Sequence, residues 1–163
     1  MQQLIAPAIE DLCAAFERGG YSPSPVIDLG VLVAKADGTI DDSERDLLVQ
    51  VLQTLLETKL SAEVIDALIT ASAEVIDLVG VGPRARLVGA ILSDCDAAEA
   101  GLRVALAVAF ASEGLSDSER RVIELIGDEA DVSPARVSEL VEEIRQHADP
   151  AGPCSTRNAL RGA

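Results

Sequence analysis

The sequence predicts an all-α fold, a compact bundle of seven to eight helices with an internal pseudo-twofold repeat. Apolar residues recur at three- and four-residue spacing along nearly the whole chain, which is the period of a helix that buries one face. They make up 48% of the 163 residues and aromatic residues only 2%, so we expect an aliphatic core. A four-residue motif also occurs twice in the same context, which predicts two related halves.

Four helices are predicted in the first half. The first ends at the pair Gly19-Gly20, and the second follows a Ser/Pro turn cluster and is apolar on most sides, which predicts burial. The third has a single apolar face, and Ser61 is placed to cap the fourth. The first three predicted ranges are 2–18, 26–36 and 41–57.

Four more helices are predicted in the second half. Residues 79–82 form a small-residue break, after which Pro83 suits the first position of a helix. Residues 104–111 are the least polar run and predict a central helix over 97–112, and the last helices are predicted at 116–129 and 133–147. We therefore expect one domain over residues 1–148. Residues 149–163 lack periodicity and predict a disordered tail.

Charge and composition exclude several classes of function. The formal net charge is −15 at pH 7, and such a field repels phosphate backbones, so we expect no nucleic-acid partner. The sequence contains no run of about 18 uncharged apolar residues, so we expect no transmembrane segment. The three cysteines form no C-x-x-C pair, which favours a reducing, cytoplasmic setting.

The internal repeat relates two helix–loop–helix segments. The stretch ADGTIDDSERDLL at 36–48 aligns with ASEGLSDSERRVI at 111–123, and the four residues DSER are identical in the two copies. An apolar helix precedes each copy, and the two copies are 75 residues apart. This period is too long for a solenoid and predicts two similar halves of one bundle.

Both loops of the repeat carry the pattern of a capping box. Asp41 and Ser116 are favourable N-cap residues, and Glu44 and Glu119 follow three positions later. These acids therefore have a complete structural explanation, which is that they hold the starts of two helices. That interpretation stays open for both loops.

The first loop also matches half of a calcium-binding loop. If Asp37 takes the fifth position of an EF-hand loop, a glycine takes the sixth, Asp41 the ninth and Glu44 the twelfth. The first half of the pattern is missing, because Val33 and Lys35 stand where carboxylates belong. A hard divalent cation bound here needs further ligands from elsewhere in the fold.

The segment 31–48, VLVAKADGTIDDSERDLL, resembles the TerB family of tellurite-resistance-associated proteins. The resemblance extends over roughly residues 26–147 and implies a compact all-α bundle whose acidic loop residues chelate a metal. It also implies a stress-response context with partner proteins, membrane-associated ones among them, near the inner face of the membrane, and the acidic net charge favours basic partners. Asp37, Asp41 and Glu44 match the family's acidic signature, and Glu119 matches its repeat. Ser112 and Glu113 depart from it, so the second copy is the weaker site.

We therefore expect a noncatalytic binding module that chelates a divalent cation, Ca²⁺, Mg²⁺, Mn²⁺ or Zn²⁺, through Asp37, Asp41, Glu44 and Glu119. One alternative is a metal-free helical scaffold whose loop acids only cap helices. The other, less favoured, is a metal-dependent enzyme. The sequence offers it no general acid or base beyond carboxylates, since the chain has a single histidine, His147. The sequence predicts no oligomeric state.

Overall fold

The protein is described by a computed structural model that covers residues 2–21, 24–55, 60–111 and 114–148. Eight α-helices and no strand occur in these residues, which confirms the predicted all-α fold. The helices are α1 (Gln2–Gly19), α2 (Ser24–Ala34), α3 (Asp42–Leu55), α4 (Ala62–Val79), α5 (Val81–Asp94), α6 (Ala98–Ala111), α7 (Asp117–Glu129) and α8 (Pro134–Ala148). The predicted tail, 149–163, lies outside the described residues.

The eight helices form two halves, α1–α4 and α5–α8, whose packing corresponds in most contacts, although α5 packs extensively on α7 whereas α1 barely touches α3. Helix α2 packs on α4 as α6 packs on α8, and α1 lies on α6 as α5 lies on α2. The third helix of each half also reaches across, so that α3 contacts α6 and α7 contacts α2. The interlocked contacts fit the pseudo-twofold arrangement that the sequence repeat predicted.

The core is centred on α2 and α6, the equivalent helices of the two halves. Residues 104–109 of α6 are buried without interruption, because the segment lacks polar side chains that would need water. Helix α2 is buried in the same manner over most of its length, with Leu29, Val31 and Leu32 fully buried. Phe16 is the one aromatic residue in the described core, which is otherwise aliphatic as predicted.

Polar side chains fix α4, and α5 of the second half, to α2. The Asp28 carboxylate, 4% exposed, accepts hydrogen bonds from the Ser72 hydroxyl and from the Arg84 guanidinium. Seven residues after Asp28, the buried Lys35 directly follows α2 and pairs with Asp77 of α4 at 2.7 Å. Because the partners advance together along both helices, α4 runs beside α2 in the same direction.

Helices α6 and α8 are tied together in the same direction. Arg136, in the first turn of α8, donates to both carboxylate oxygens of Glu99 at the start of α6, at 2.8 and 2.9 Å. Glu143, two turns later, accepts from Arg103 at 3.2 Å. The later part of α8 therefore lies beside the later part of α6.

The connection between α4 and α5 is tighter than predicted. Only Gly80 interrupts the two helices, and its φ of 91° lies in a region that glycine adopts at little cost. Pro83 is consequently the third residue of α5, whereas the sequence placed it first. The position is tolerated because amide hydrogens in the first turn have no acceptor within the helix.

Candidate functional site

A groove of about 690 Å³ opens where the two copies of the repeat meet. It is enclosed by the last turns of α2 and α6 and by the starts of α3 and α7. All four acids predicted from the sequence line it: Asp37, Asp41 and Glu44 from the first loop and Glu119 from the second. The structure thus brings the two loops to one place.

The first loop closes as a capping box. One oxygen of Asp41, Oδ1, accepts from the backbone N–H of Glu44 at 2.8 Å and from the Ser43 hydroxyl at 2.7 Å. In return Glu44 Oε2 accepts from the Asp41 N–H at 2.7 Å. The bond from the Glu44 amide, helped by the Ser43 hydroxyl, lowers the pKa of Asp41, because these donors favour the charged carboxylate.

The second loop closes in the same way around a serine. Ser116 Oγ accepts from the Glu119 N–H at 3.2 Å, and Glu119 Oε2 accepts from the Ser116 N–H at 2.7 Å. Both predicted capping boxes are therefore confirmed. Ser112 and Glu113, which depart from the family pattern, lie outside the described residues.

About half of the residues that line the groove form pairs related by the repeat. A residue of the first copy and its counterpart 75 positions later repeatedly line it together, so the pseudo-twofold relation passes through the groove itself. The paired lining residues are Val33 with Val108, Asp41 with Ser116, Ser43 with Ser118, and Glu44 with Glu119.

The floor of the groove is aliphatic and was not part of the site predicted from the sequence, which contained only acidic residues. Val33, Leu48 and Val108 are almost fully buried beneath it, while Leu47 and Val51 are half-buried along its side. The repeat could have predicted this floor, since Val33 and Val108 occupy equivalent positions before the two capping boxes.

The rim of the groove carries negative charge without compensation from within. None of its described lining residues is Lys or Arg. The arginine of each DSER motif is directed elsewhere: Arg45 binds Asp66 and the hydroxyl of Thr70, and Arg120 pairs with Glu124 at 3.5 Å. The groove therefore favours cations and basic groups.

The donors fit a hard cation in type, although they are not gathered around a common point. Carboxylate oxygens are the ligands that Ca²⁺ and Mg²⁺ prefer. The caps use one oxygen of Asp41 and one of Glu44, so each carboxylate keeps a second oxygen outside the cap. Across the described residues, no three His, Cys, Asp or Glu side chains form a ready-made metal cluster. A cation bound here would have to draw the acids of the loops together.

Two further features that the structure describes, Cys95 and the stretch 80–85, add no chemical site. The thiol pKa of Cys95 is raised, first by burial and then by the neighbouring Asp94 carboxylate, which disfavours the nucleophilic thiolate. The stretch 80–85 contains two glycines and lies where α4 ends and α5 begins. A dinucleotide-binding loop instead follows a strand. No helix in the described ranges has the length and apolar character needed to cross a membrane.

Comparison with known proteins gives one match. The family model described as tellurite resistance protein TerB matches residues 24–143, which is more than half of the chain. The match begins at α2 and ends within α8, so it contains both repeat loops and the whole groove. Neither the curated proteins nor the solved structures give a match.

Proposed function

Because the chain belongs to the TerB family, we propose that it is a noncatalytic binding module whose groove holds a divalent cation. Asp37, Asp41 and Glu44 supply the ligands from one side, and Glu119 supplies one from the other. The observation that carries the proposal is that the acids of both repeat loops line the same groove.

The proposed effect of the cation is mechanical. Each loop immediately precedes a helix of a different half, α3 or α7, so a cation that bridges the loops restrains the two helix starts relative to each other. It also neutralises carboxylates that repel one another. The cation thereby sets the shape of the surface that a partner protein contacts.

The proposal extends to the setting of the module. We propose partner proteins that are basic or membrane-associated, in a stress-response context at the inner face of the membrane, as the family resemblance implies. The acidity of the groove supports basic partners, since it attracts positive charge and repels nucleic acid.

A second candidate is a metal-free scaffold. It is favoured by the two capping boxes, which satisfy the ends of α3 and α7 without an ion. In that case the acids serve the helices alone, and partners bind to a surface that does not respond to metal.

Thermal melts after dialysis against a chelator separate the two candidates. We expect millimolar Ca²⁺, Mg²⁺ or Mn²⁺, or micromolar Zn²⁺, to raise the Tm at constant ionic strength. A ligand at about 100 times its Kd adds about 2.7 kcal/mol to the free energy of unfolding, which is several degrees for a chain of this size.

Amide variants keep the caps and remove the charge. Gln can replace Glu in a capping box, and the N-cap residue Asp41 is unchanged, so Asp37→Asn with Glu44→Gln should abolish the metal response while the metal-free protein still folds. The control Glu74→Gln with Asp128→Asn removes two exposed charges that do not line the groove. A flat response to all four ions, or an equal loss in the control, would favour the metal-free scaffold.

A further inference from the structure

A bound cation would leave most of the groove uncovered. Its volume of about 690 Å³ is in the range of sites that take drug-sized or peptide ligands, about 300–1,000 Å³. The carboxylates occupy the rim, and the side chains of Leu47 and Val51 remain half-buried along the wall. The groove therefore fits an occupant with an aliphatic side chain between positive charges.

The chain itself contains such a segment. Residues 150–163 carry Arg157 and Arg161 with no acidic residue, in a protein whose formal net charge is −15. Leu160 lies between the two arginines, beside Ala159. This combination of charge and apolar character complements the rim and the floor of the groove.

The described part of α8 runs toward the end of α6 that lines the groove, so a segment that follows α8 starts from that end of the bundle. The contacts of Arg136 with Glu99 and of Glu143 with Arg103 show that α8 advances beside α6 in the same direction. Helix α6 ends at the groove, where Val108 and Ala111 line it. Helix α8 ends at Ala148, and an extended chain spans ~3.3 Å per residue, so residues 149–161 can cover several tens of ångströms.

We propose that the segment around Arg157–Arg161 docks in the acidic groove of its own chain. The arginines pair with the carboxylates of the rim, and Leu160 packs against the half-buried Leu47 and Val51 of the groove wall. The docked segment and a divalent cation then compete for the same acids. This inference does not rest on the proposed cation site, because docking requires only the groove.

The test compares the 163-residue chain with its Arg157→Glu, Arg161→Glu variant by amide NMR in the presence of chelator. We expect the amide shifts that differ between the two proteins to concentrate in the loops 37–44 and 114–119, and amide exchange in those loops to be faster in the variant. The control Arg18→Glu, Arg86→Glu has the same change in charge at positions outside the groove, and should leave the loop shifts unchanged.

A synthetic peptide of residues 149–163 provides the second arm. It should shift the loop amides of the charge-reversed variant saturably, and do so more weakly in the wild-type protein, whose own segment competes. A peptide with both arginines replaced by Glu should have no effect.

Three results would overturn the proposal. They are no difference at the loops in the charge-reversed variant, differences spread evenly over the protein, and loop shifts that depend on protein concentration, which would assign the occupant to a second copy. Since chelator is present throughout, failure of this test leaves the metal response of the melts untouched, and a failed metal test leaves this one valid.

Discussion

The carboxylates of Glu44 and Glu119 each close a capping box and also line the groove. A substitution to alanine would therefore disturb a helix start and the groove together. Substitution to glutamine separates the two roles, because the amide oxygen can still accept the N-cap hydrogen bond but carries no charge. At the scale of single residues, the useful variants in this protein are those that preserve the caps.

The cap of α7 gives a direct prediction for stability. We expect Ser116→Ala to lower the free energy of unfolding by about 1 kcal/mol, since the amide of Glu119 loses its acceptor. That corresponds to about 2–4 °C in Tm, measurable by a thermal melt. Ser138→Ala is the matched control, because that hydroxyl only bonds back to the Pro134 carbonyl within α8. An equal loss in both variants would show that the cap contributes nothing specific.

The cap of α3 gives a prediction for pH. The pKa of Asp41 is lowered in the folded state, so its contribution to stability is present above its unfolded value of about 3.9 and is lost as the pH falls through the folded value. Asp41→Asn keeps a cap without the charge. We expect the Tm advantage of the wild-type protein over this variant to be larger at pH 7 than at pH 2, measured with chelator present. A pH-independent difference would contradict the assigned hydrogen bonds.

At the scale of elements, the contact between α5 and α7 depends on the absence of a side chain. A Cβ atom at Gly89 would lie 2.7 Å from the Ile126 carbonyl oxygen, which is backbone and cannot move without the helix. Gly82, in the first turn of the same helix, has open space around its Cα. The two positions thus compare a glycine that lies in a close helix contact with one that has no neighbour from another helix.

We expect Gly89→Ala to destabilise the protein by about 1–3 kcal/mol, because α5 and α7 must separate. Gly82→Ala should change the free energy of unfolding by less than about 1 kcal/mol, because the gain from restricting the unfolded chain is opposed by the contact of the new Cβ with the ring of Pro83, the next residue. Denaturant unfolding of both variants gives the comparison. An equal loss of stability in both variants, or tolerance of both, would contradict the close contact between α5 and α7.

At the scale of the whole molecule, charge opposes compactness. The chain has 28 acidic and 13 basic residues, so its acidic side chains repel one another in the folded state. Salt screens this repulsion beyond the Debye length, which is about 10 Å at 0.1 M ionic strength. Exposed ion pairs, such as Arg145 with Glu142, each contribute only about 0.2–1 kcal/mol to stability. Their weakening by salt is therefore smaller than the relief of the repulsion between the acidic side chains.

We therefore expect the Tm to rise between about 0.02 M and about 0.5 M NaCl, as screening relieves the repulsion of the folded state. Melts in chelator provide the measurement, and they also set the ionic-strength baseline for the experiments with divalent cations. A Tm that falls with salt would mean that the ion-pair networks, such as the one joining Arg136 to Glu99 and Glu143, outweigh the repulsion.

The sequence was sufficient for features that depend on near neighbours. Helical periodicity predicted the helices, because a helix that buries one face repeats its apolar residues every three to four positions. Both capping boxes were predictable because their hydrogen bonds join residues three positions apart. The duplicated DSER motif predicted two similar halves. The junction at Gly80 was placed less well, because Pro83 is compatible with several positions in the first turn.

Only the tertiary structure decided how these pieces meet. Three features join residues that are far apart in the chain. They are the convergence of Glu44 and Glu119 on one groove, its floor of Val33 and Val108, and the partly buried pair of Asp28 with Arg84. Local patterns do not encode such contacts, because they arise from the packing of α2, α3, α6 and α7 around a shared core. The sequence by itself thus determined the elements, their caps and their duplication, and tertiary packing turned two separate acidic loops into a single groove.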